Sequence, residues 1–154
     1  MGEHHPAMDR AAAQALAETV AASMYARDTA SRALGMSIVH VEPGFSELTM
    51  TVRADMLNGH AICHGGLIFT LADSAFAFAC NSYNLSTVAS GCAIEFIATA
   101  REGDVLTARA RERQLAGRTG VYDVEVANAR GEVVALFRGK SYRIKGHVVD
   151  DTKG

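Results

Sequence analysis

The sequence predicts an α+β domain in which an antiparallel sheet of about five or six strands wraps around one long buried helix, with an extra helix in front. Three observations support this fold class. Residues 67–80 are apolar on nearly every side, as a buried helix is. Short strand-like runs with glycine-containing loops between them fill much of the remaining chain. The 154 residues are 49% hydrophobic and 21% charged, which fits one globular domain with its own core.

The first 33 residues are predicted to form a short disordered tail and then an amphipathic helix. The stretch from Ala7 to about Ala33 is rich in alanine, and Leu16, Val20 and Met24 recur at intervals of four. This spacing places the three side chains on one face of a helix. We expect this segment, 1–33, to lie outside the main domain, and its sequence gives no indication of its role.

The main domain is predicted to span 34–146 and to begin with a strand pair. The period changes near residue 34, Pro43-Gly44 is a turn signal, and Ser46–Arg53 alternates polar and apolar residues. These features predict two antiparallel strands. A loop over Asp55–Gly66 should then lead into the buried helix.

Four further strands are predicted after the helix. The runs are Thr87–Ala98 with an interruption at Gly91, Val105–Gln114, Gly120–Asn128 and Glu132–Ile144. Their three short separators, each of which contains a glycine, favour a meander of antiparallel neighbours. Residues 147–154 are expected to be a C-terminal tail.

Composition excludes several functions. The net charge of −2 gives no basic character that would favour nucleic acid as a partner. The longest apolar run, 67–80, is too short and too polar for a membrane span. Three cysteines without a disulfide-like spacing favour reduced thiols, and the N-terminus lacks a signal-peptide pattern, so we expect a cytoplasmic protein.

Asp73 is the strongest anomaly in the sequence, because it places a carboxylate inside the most apolar helix. Burying a carboxylate costs several kcal/mol unless it is paired or its pKa rises. A satisfied core aspartate or an exposed helix position would be the unremarkable explanation. We favour a carboxylate kept for use as a nucleophile or general base.

His64-Gly65-Gly66 stands directly before that helix. Glycine allows close approach of the backbone to a ligand, and the free N–H groups of a helix N-terminus can receive negative charge. A thioester carbonyl under attack develops such a charge, so the segment could serve as an oxyanion hole. The alternative is an ordinary turn.

Helix geometry separates Gly65 from Asp73. Eight residues at ~1.5 Å each put them about 12 Å apart along one helix. A carbonyl oxygen bound at the Gly65 N–H cannot also place its carbon beside Asp73 of the same chain. If both groups serve one site, they should come from two chains of a homodimer.

Other residues of the loop offer weaker candidates. Asn58 and His64 could orient a thioester or a water molecule, or could simply cap loop backbone groups. His60, Cys63 and His64 could be considered as zinc ligands, but their spacing is crowded and no second cluster follows, so we expect no metal. Cys63 as a nucleophile is disfavoured, since adjacent residues such as Cys63 and His64 rarely face one atom.

These residues closely resemble the hotdog-fold acyl-CoA thioesterases, and specifically the phenylacetate-pathway group. The matching segments are 56–60, 63–66, 71–77 and 79–82, with Thr119–Asp123 and Leu136–Ser141 further on. The resemblance runs from about Leu34 to Gly146. An acid nine residues after a His-Gly-Gly histidine is fairly specific to the superfamily.

The resemblance implies hydrolysis of acyl-CoA thioesters, with phenylacetyl-CoA or its hydroxylated derivatives as expected substrates. It implies that Asp73 is the nucleophile or general base, that the Gly65 N–H polarises the carbonyl, and that His64 and Asn58 position carbonyl or water. It implies a dimer with a continuous sheet and shared active sites, usually doubled to a homotetramer. No cofactor is expected, since CoA is part of the substrate. Candidates for holding the CoA nucleotide are Arg118, Thr119, Arg138, Lys140 and Arg143.

One departure from the family concerns a serine or threonine that faces the acid in some relatives. One helical turn after Asp73 this chain has Ala77, so Ser90 on the following strand is the candidate for that role. Two alternative functions stay open. A hotdog dehydratase would be expected to show a Pro-Gly turn before its helix, which this chain lacks, and a non-catalytic acyl-CoA sensor would not need Asp73.

Overall fold

The computed structural model describes residues 8–150. The predicted tail at the start of the chain therefore lies outside the described residues, as do residues 151–154. Two helices come first, α1 (Arg10–Arg27) and α2 (Thr29–Ala33), where the sequence predicted one. The break falls at Asp28, whose φ of −86° and ψ of 85° are not helical. Its carboxylate accepts hydrogen bonds from the Ser31 N–H and hydroxyl, at 2.9 and 2.6 Å. Because an aspartate in this position satisfies an N–H that a helix start leaves free, it begins a new helix.

The strands of the described chain form one antiparallel six-stranded sheet in the order β1-β2-β4-β5-β6-β3. Their bounds are β1 (Ser37–Glu42), β2 (Phe45–Thr51), β3 (Leu85–Phe96), β4 (Val105–Ala116), β5 (Thr119–Ala127) and β6 (Val133–His147). The remaining elements are a short 3-10 helix at Ala54–Met56 and the helix α3 (Gly65–Cys80).

The predicted hotdog architecture is confirmed, but one strand does not follow the predicted meander. The hairpin β1–β2 and the meander β4–β5–β6 agree with the sequence prediction. β3 instead pairs with β6 at the far edge of the sheet, because α3 carries the chain across the sheet before β3 begins. Local patterning identified β3 as a strand but contains no information on its partner.

The helix α3 packs against the inner face of the sheet and contacts every strand. Leu71, Ala72, Ala75 and Phe76 are at most 1% exposed. They meet buried side chains of β2, β4, β5 and β6, among them Leu48, Met50, Leu106, Ala108, Tyr122, Val124 and Phe137. In residues 8–150 no helix is long and apolar enough to cross a membrane.

Within residues 8–150, one side of α3 is only partly covered, contrary to the prediction of burial all round. Phe69, Asp73 and Ala77 recur at intervals of four and are only half-buried. Residues at this spacing lie on one helix face. The uncovered line therefore presents Asp73 to whatever lies next to the helix.

The two edges of the sheet differ. At β1 the helix α1 packs alongside, and the Gln14 side chain donates a hydrogen bond of 2.7 Å to the Val41 carbonyl. At the opposite edge, twelve-residue β3 pairs only with β6 within the described chain. Val88 and Phe96 on β3 are 46% and 53% exposed. The β1 edge of the sheet is thus covered by α1, whereas the β3 edge is open within the described residues.

The end of the chain is held in place for some residues beyond β6. Asn84 donates from its side-chain amide to the Val149 carbonyl at 3.0 Å and accepts from the Val149 N–H at 2.8 Å. The His147 ring contacts the Asn84 carbonyl at 3.0 Å. The expected C-terminal tail is therefore anchored over 147–149.

Gly139 on β6 allows the closest packing in this core. A Cβ built there would lie 2.9 Å from three atoms of the Phe76 ring, which is 1% exposed and packs against Tyr122 and Phe137. We expect Gly139→Ala to lower the free energy of unfolding by about 1–3 kcal/mol, the usual cost of overpacking. Urea unfolding measures it. Gly91→Ala on neighbouring β3, where a Cβ meets open space, should change far less; equal effects would contradict the packing explanation.

Candidate active site

The Asp73 carboxylate stands midway along α3 without a partner. Within residues 8–150 it makes no hydrogen bond and no ion pair, although it is half-buried. Burial raises the pKa of Asp73 above its ordinary value. A carboxylate left unpaired in an apolar helix costs stability, which is the expected cost of a group kept for chemistry.

At the N-terminus of α3, the His64 side chain accepts from one backbone N–H group, and the Gly65 N–H is left without an acceptor in the described chain. His64 is the N-cap, and its ring Nδ1 accepts a hydrogen bond of 3.0 Å from the Gly66 N–H. The neutral ring therefore carries its proton on Nε2, where it can donate. Within the described chain the Gly65 N–H has no acceptor, and it is the donor best suited to receive an oxyanion.

Phe96, at the end of β3, covers the other side of Gly65. A Cβ on Gly65 would lie 2.9 Å from Cζ of that ring, so glycine is required for this approach. The Phe96 ring is 53% exposed, unlike Phe76 of the core. The free Gly65 N–H is thus bordered by an aromatic face.

Asn58 organises the loop before α3. Its side-chain oxygen accepts from the His60 N–H at 2.9 Å and the Ile62 N–H at 3.4 Å. Its backbone N–H donates to the Ile62 carbonyl, and His64 donates to the Met56 carbonyl in the same small hairpin. The Asn58 oxygen has the backbone-capping role considered from sequence, while its amide N–H groups have no acceptor in residues 8–150 and can donate to a ligand.

Asn58 and His64 lie in one small hairpin that leads into Gly65, whereas Asp73 lies away from it. Gly65 is the first residue of α3 and Asp73 lies eight residues further along the same continuous helix. At ~1.5 Å per residue the separation is about 12 Å. Gly65 and Asp73 of one chain therefore lie too far apart to contact the same carbonyl group.

The thiol of Cys92 on β3, which the sequence did not single out, is affected by the charge of Asp73. Burial raises the pKa of the Cys92 thiol and the Asp73 carboxylate raises it further. Ser90, the predicted counterpart of the acid, lies in a bulge and donates to the Lys140 carbonyl at 3.2 Å. The bulge shifts the alternation of inward and outward residues, which the sequence does not show.

Three of the candidates for holding the CoA nucleotide lie together near the β4–β5 turn. Arg118, Thr119 and Arg143 line a small cleft of about 60 Å³ near the C-terminal end of α3. The Arg118 guanidinium donates to the Arg143 carbonyl at 3.2 Å, and the Arg143 N–H donates to the Arg118 carbonyl at 2.7 Å. These contacts attach the Arg118 side chain and the β4–β5 turn to the backbone of β6 at Arg143.

The other two candidates occupy the outer face of the sheet, away from α3. Arg138 binds Asp123 through both carboxylate oxygens, at 2.7 and 3.0 Å, and lines an open groove of about 610 Å³. Lys140 follows on the same face of β6, since residues two apart in a strand point the same way. The five CoA candidates therefore do not form one cluster.

No metal set was found in the part of the chain that the structure describes. No group of three or more histidine, cysteine, aspartate or glutamate side chains there could hold an ion. Cys63, in the disfavoured zinc set, is instead 4% exposed and belongs to the core cluster.

A six-stranded antiparallel sheet wrapped around a buried central helix is the hotdog architecture, and here the helix also carries the half-buried Asp73. Residues 60–135 match the thioesterase superfamily. The chain belongs to this superfamily and is a thioester hydrolase.

The chain is similar to several individual proteins. It is 51% identical over 129 residues to the acyl-coenzyme A thioesterase PaaI of Escherichia coli, covering 84% of this chain and 92% of that protein. The structure of E. coli PaaI, from the phenylacetic acid degradation operon, superposes with a TM-score of 0.86 over 87% of this chain and 97% of that one, at 51% identity. A putative esterase of Archaeoglobus fulgidus is 36% identical over 84% of each chain.

A structure with bound ligand is also similar. The Streptococcus mutans protein smu.793, bound to acetyl CoA, has a TM-score of 0.70 at 27% identity, over 73% of this chain and 90% of that one.

Proposed function

We propose that this protein hydrolyses acyl-CoA thioesters to the free acid and CoA, with Asp73 as the catalytic carboxylate and the Gly65 N–H as the oxyanion donor. One observation carries the proposal: a single helix bears a free N–H donor at its start and an unpaired, half-buried carboxylate in its middle. The relatives support the substrate class, since one is an acyl-coenzyme A thioesterase and another holds acetyl CoA.

In this mechanism the thioester carbonyl oxygen accepts a hydrogen bond from the Gly65 N–H. Asp73 takes a proton from water as the water oxygen bonds to the carbonyl carbon, and charge builds on the carbonyl oxygen. The carbon–sulfur bond then breaks, the acid is released, and the CoA thiolate takes up the proton. Asp73 could instead attack the carbon directly and form an anhydride that water cleaves. Incorporation of solvent oxygen-18 into the Asp73 carboxylate would identify the second route.

His64 and Asn58 complete the proposed site as positioning groups. The His64 Nε2–H, next to Gly65 in the chain, and the Asn58 amide, in the small hairpin that precedes it, have no acceptor within residues 8–150. They can orient the carbonyl or the attacking water without proton transfer of their own. The chemistry needs water and substrate only, so the proposal includes no cofactor.

We further propose that each site is shared between two chains of a homodimer, which would double to a homotetramer. The helix separation of about 12 Å between Gly65 and Asp73 prevents one chain from supplying both groups to one carbonyl. The open β3 edge and the half-buried side of α3 adjoin this site and support pairing there. A partner's Asp73 would face the first chain's Gly65.

The acyl group proposed is aromatic, such as phenylacetyl or a hydroxylated derivative. Phe96 borders Gly65, and Phe69 lies one helical turn before Asp73 with its ring 5.3 Å from that of Phe137. Aromatic rings stack favourably at such separations. Phe76, by contrast, is a core residue at 1% exposure and is not part of the proposed pocket.

A panel of thioesters followed with a thiol reagent tests this substrate class. We expect phenylacetyl-CoA to have a kcat/KM at least about 10-fold above that of acetyl-CoA, because apolar contacts discriminate by roughly that factor or more. A preference for acetyl or long-chain acyl groups would contradict the aromatic assignment. Binding of every member without release of thiol would favour a sensor.

A further inference from the structure

Two buried serines anchor the middle of α3. Among the described residues, only two side chains from other elements form hydrogen bonds with the central part of this helix. The Ser31 Oγ of α2 lies 2.9 Å from the Ser74 Oγ, and the Ser46 hydroxyl of β2 donates to the Ala75 carbonyl at 2.5 Å. Both contacts fall on the residues that directly follow Asp73.

The Ser31 hydroxyl also has a hydrogen-bond partner within its own helix region. The Ser31 hydroxyl donates to the Asp28 carboxylate at 2.6 Å, so it accepts from the Ser74 hydroxyl. Ser31 and Ser46 are 1% and 0% exposed, so water does not compete for either bond. One anchor comes from the N-terminal helices and the other from the sheet.

Apolar packing alone would not fix the rotation of α3. Burial of apolar surface stabilises without strong directional preference, whereas a hydrogen bond weakens steeply with angle. Asp73 stands on the uncovered side of the helix, where no contact within the described chain holds its carboxylate. Its setting therefore depends on what holds the next two residues.

We propose that Ser31 and Ser46 are positioning residues that act through Ser74 and Ala75 to fix the angle at which α3 presents Asp73 to the substrate. This inference rests on the proposed role of Asp73. It assigns a function to the N-terminal helices, whose role the sequence left open. A displacement of about 1 Å at a reacting group can lower the rate by 10²-fold, so small rotations are measurable.

The test is steady-state kinetics of Ser31→Ala and Ser46→Ala on one acyl-CoA substrate. Each variant is expected to lower kcat by about 10-fold, with KM changed less than about twofold, because the substrate still binds while the carboxylate is misplaced. Ser31→Thr retains the hydroxyl and should restore most of kcat. Kinetics are measured well below the unfolding temperature.

Two controls separate positioning from stability. Val20→Ala removes a buried side chain of α1 that is outside the core cluster, and it should lower Tm but leave kcat unchanged. The double variant Ser31→Ala/Ser74→Ala removes both hydroxyls of the pair, so no hydroxyl of that pair remains unsatisfied and Tm should recover relative to Ser31→Ala. In a positioning role kcat stays low in the double variant.

The inference is overturned if Ser31→Ala and Ser46→Ala both retain the parent kcat, or if kcat recovers together with Tm in the double variant. It fails separately from the proposed function. Asp73→Asn with full activity would remove Asp73 from the chemistry. An inactive Asp73→Asn beside fully active serine variants would remove only the positioning role.

Discussion

Asp73→Asn is expected to lower kcat/KM for acyl-CoA hydrolysis by about 10³-fold, within the 10²–10⁴ that a general base contributes. Asparagine has nearly the same shape but cannot accept a proton from water or attack a carbonyl. Asp73 has no ion pair or hydrogen bond in residues 8–150, so its replacement breaks no contact there. Release of thiol from phenylacetyl-CoA measures the effect, and activity within tenfold of the parent would refute the mechanism.

The same variant should be more stable than the parent at neutral pH. Burial raises the folded-state pKa of Asp73, so the folded protein binds this proton more tightly than the unfolded chain. The ionised carboxylate therefore costs stability above that pKa, and the cost disappears as pH falls through it. Tm of Asp73→Asn should exceed that of the parent at pH 7, with the gap closing in acid. The parent's rate should fall over the same acidic range, as the carboxylate is protonated.

Gly65→Pro is expected to reduce kcat by about 10²–10³-fold, the usual loss of one oxyanion donor. Proline removes the N–H and otherwise suits the first position of a helix. The preceding His64 has φ of −59° and ψ of 128°, which a residue before proline tolerates. Gly65→Ala is the matched control, since it adds the Cβ that presses on Phe96 and keeps the N–H. Equal losses in both variants would assign the effect to crowding.

Mixing Gly65→Pro chains with Asp73→Asn chains tests whether the site is shared. Random pairing makes half of the dimers mixed, and each mixed dimer has one intact site in two, so about a quarter of the parent activity should return. Size-exclusion chromatography of tagged chains checks that exchange occurred. No recovery despite exchange would place each complete site within one chain.

The sequence predicted the central helix, the N-terminal helical segment and the strands, because each has its own local periodicity. The position of β3 next to β6 was not predictable, since the partner of a strand depends on where α3 delivers the chain. The break at Asp28 was also missed. A helix-capping aspartate is visible in sequence, but alanine on both sides favours continuation.

For the candidate site, the sequence singled out Asp73, Gly65 and His64 from one short motif, and their roles stay predictions. It could not identify Cys92, because the bulge near Ser90 changes which residues of β3 face inward. Nor could it separate Arg138, which pairs with Asp123 on the outer face, from Arg118 and Arg143 at the β4–β5 turn. Their grouping is set by strand register, which is a property of the whole sheet.

The unequal edges of the sheet also limit how far the protein can polymerise. A sheet with an open strand edge on each side permits head-to-tail addition without end, as in fibres. Here α1 lies along β1, and Gln14 occupies the Val41 carbonyl. If two sheets joined through their β3 strands, the outer edge at each end would be a β1 strand covered by α1. Growth by strand pairing would then stop after a single step. Without α1, the β1 edge would be open to strand pairing, and the shortened chain would be prone to form filaments.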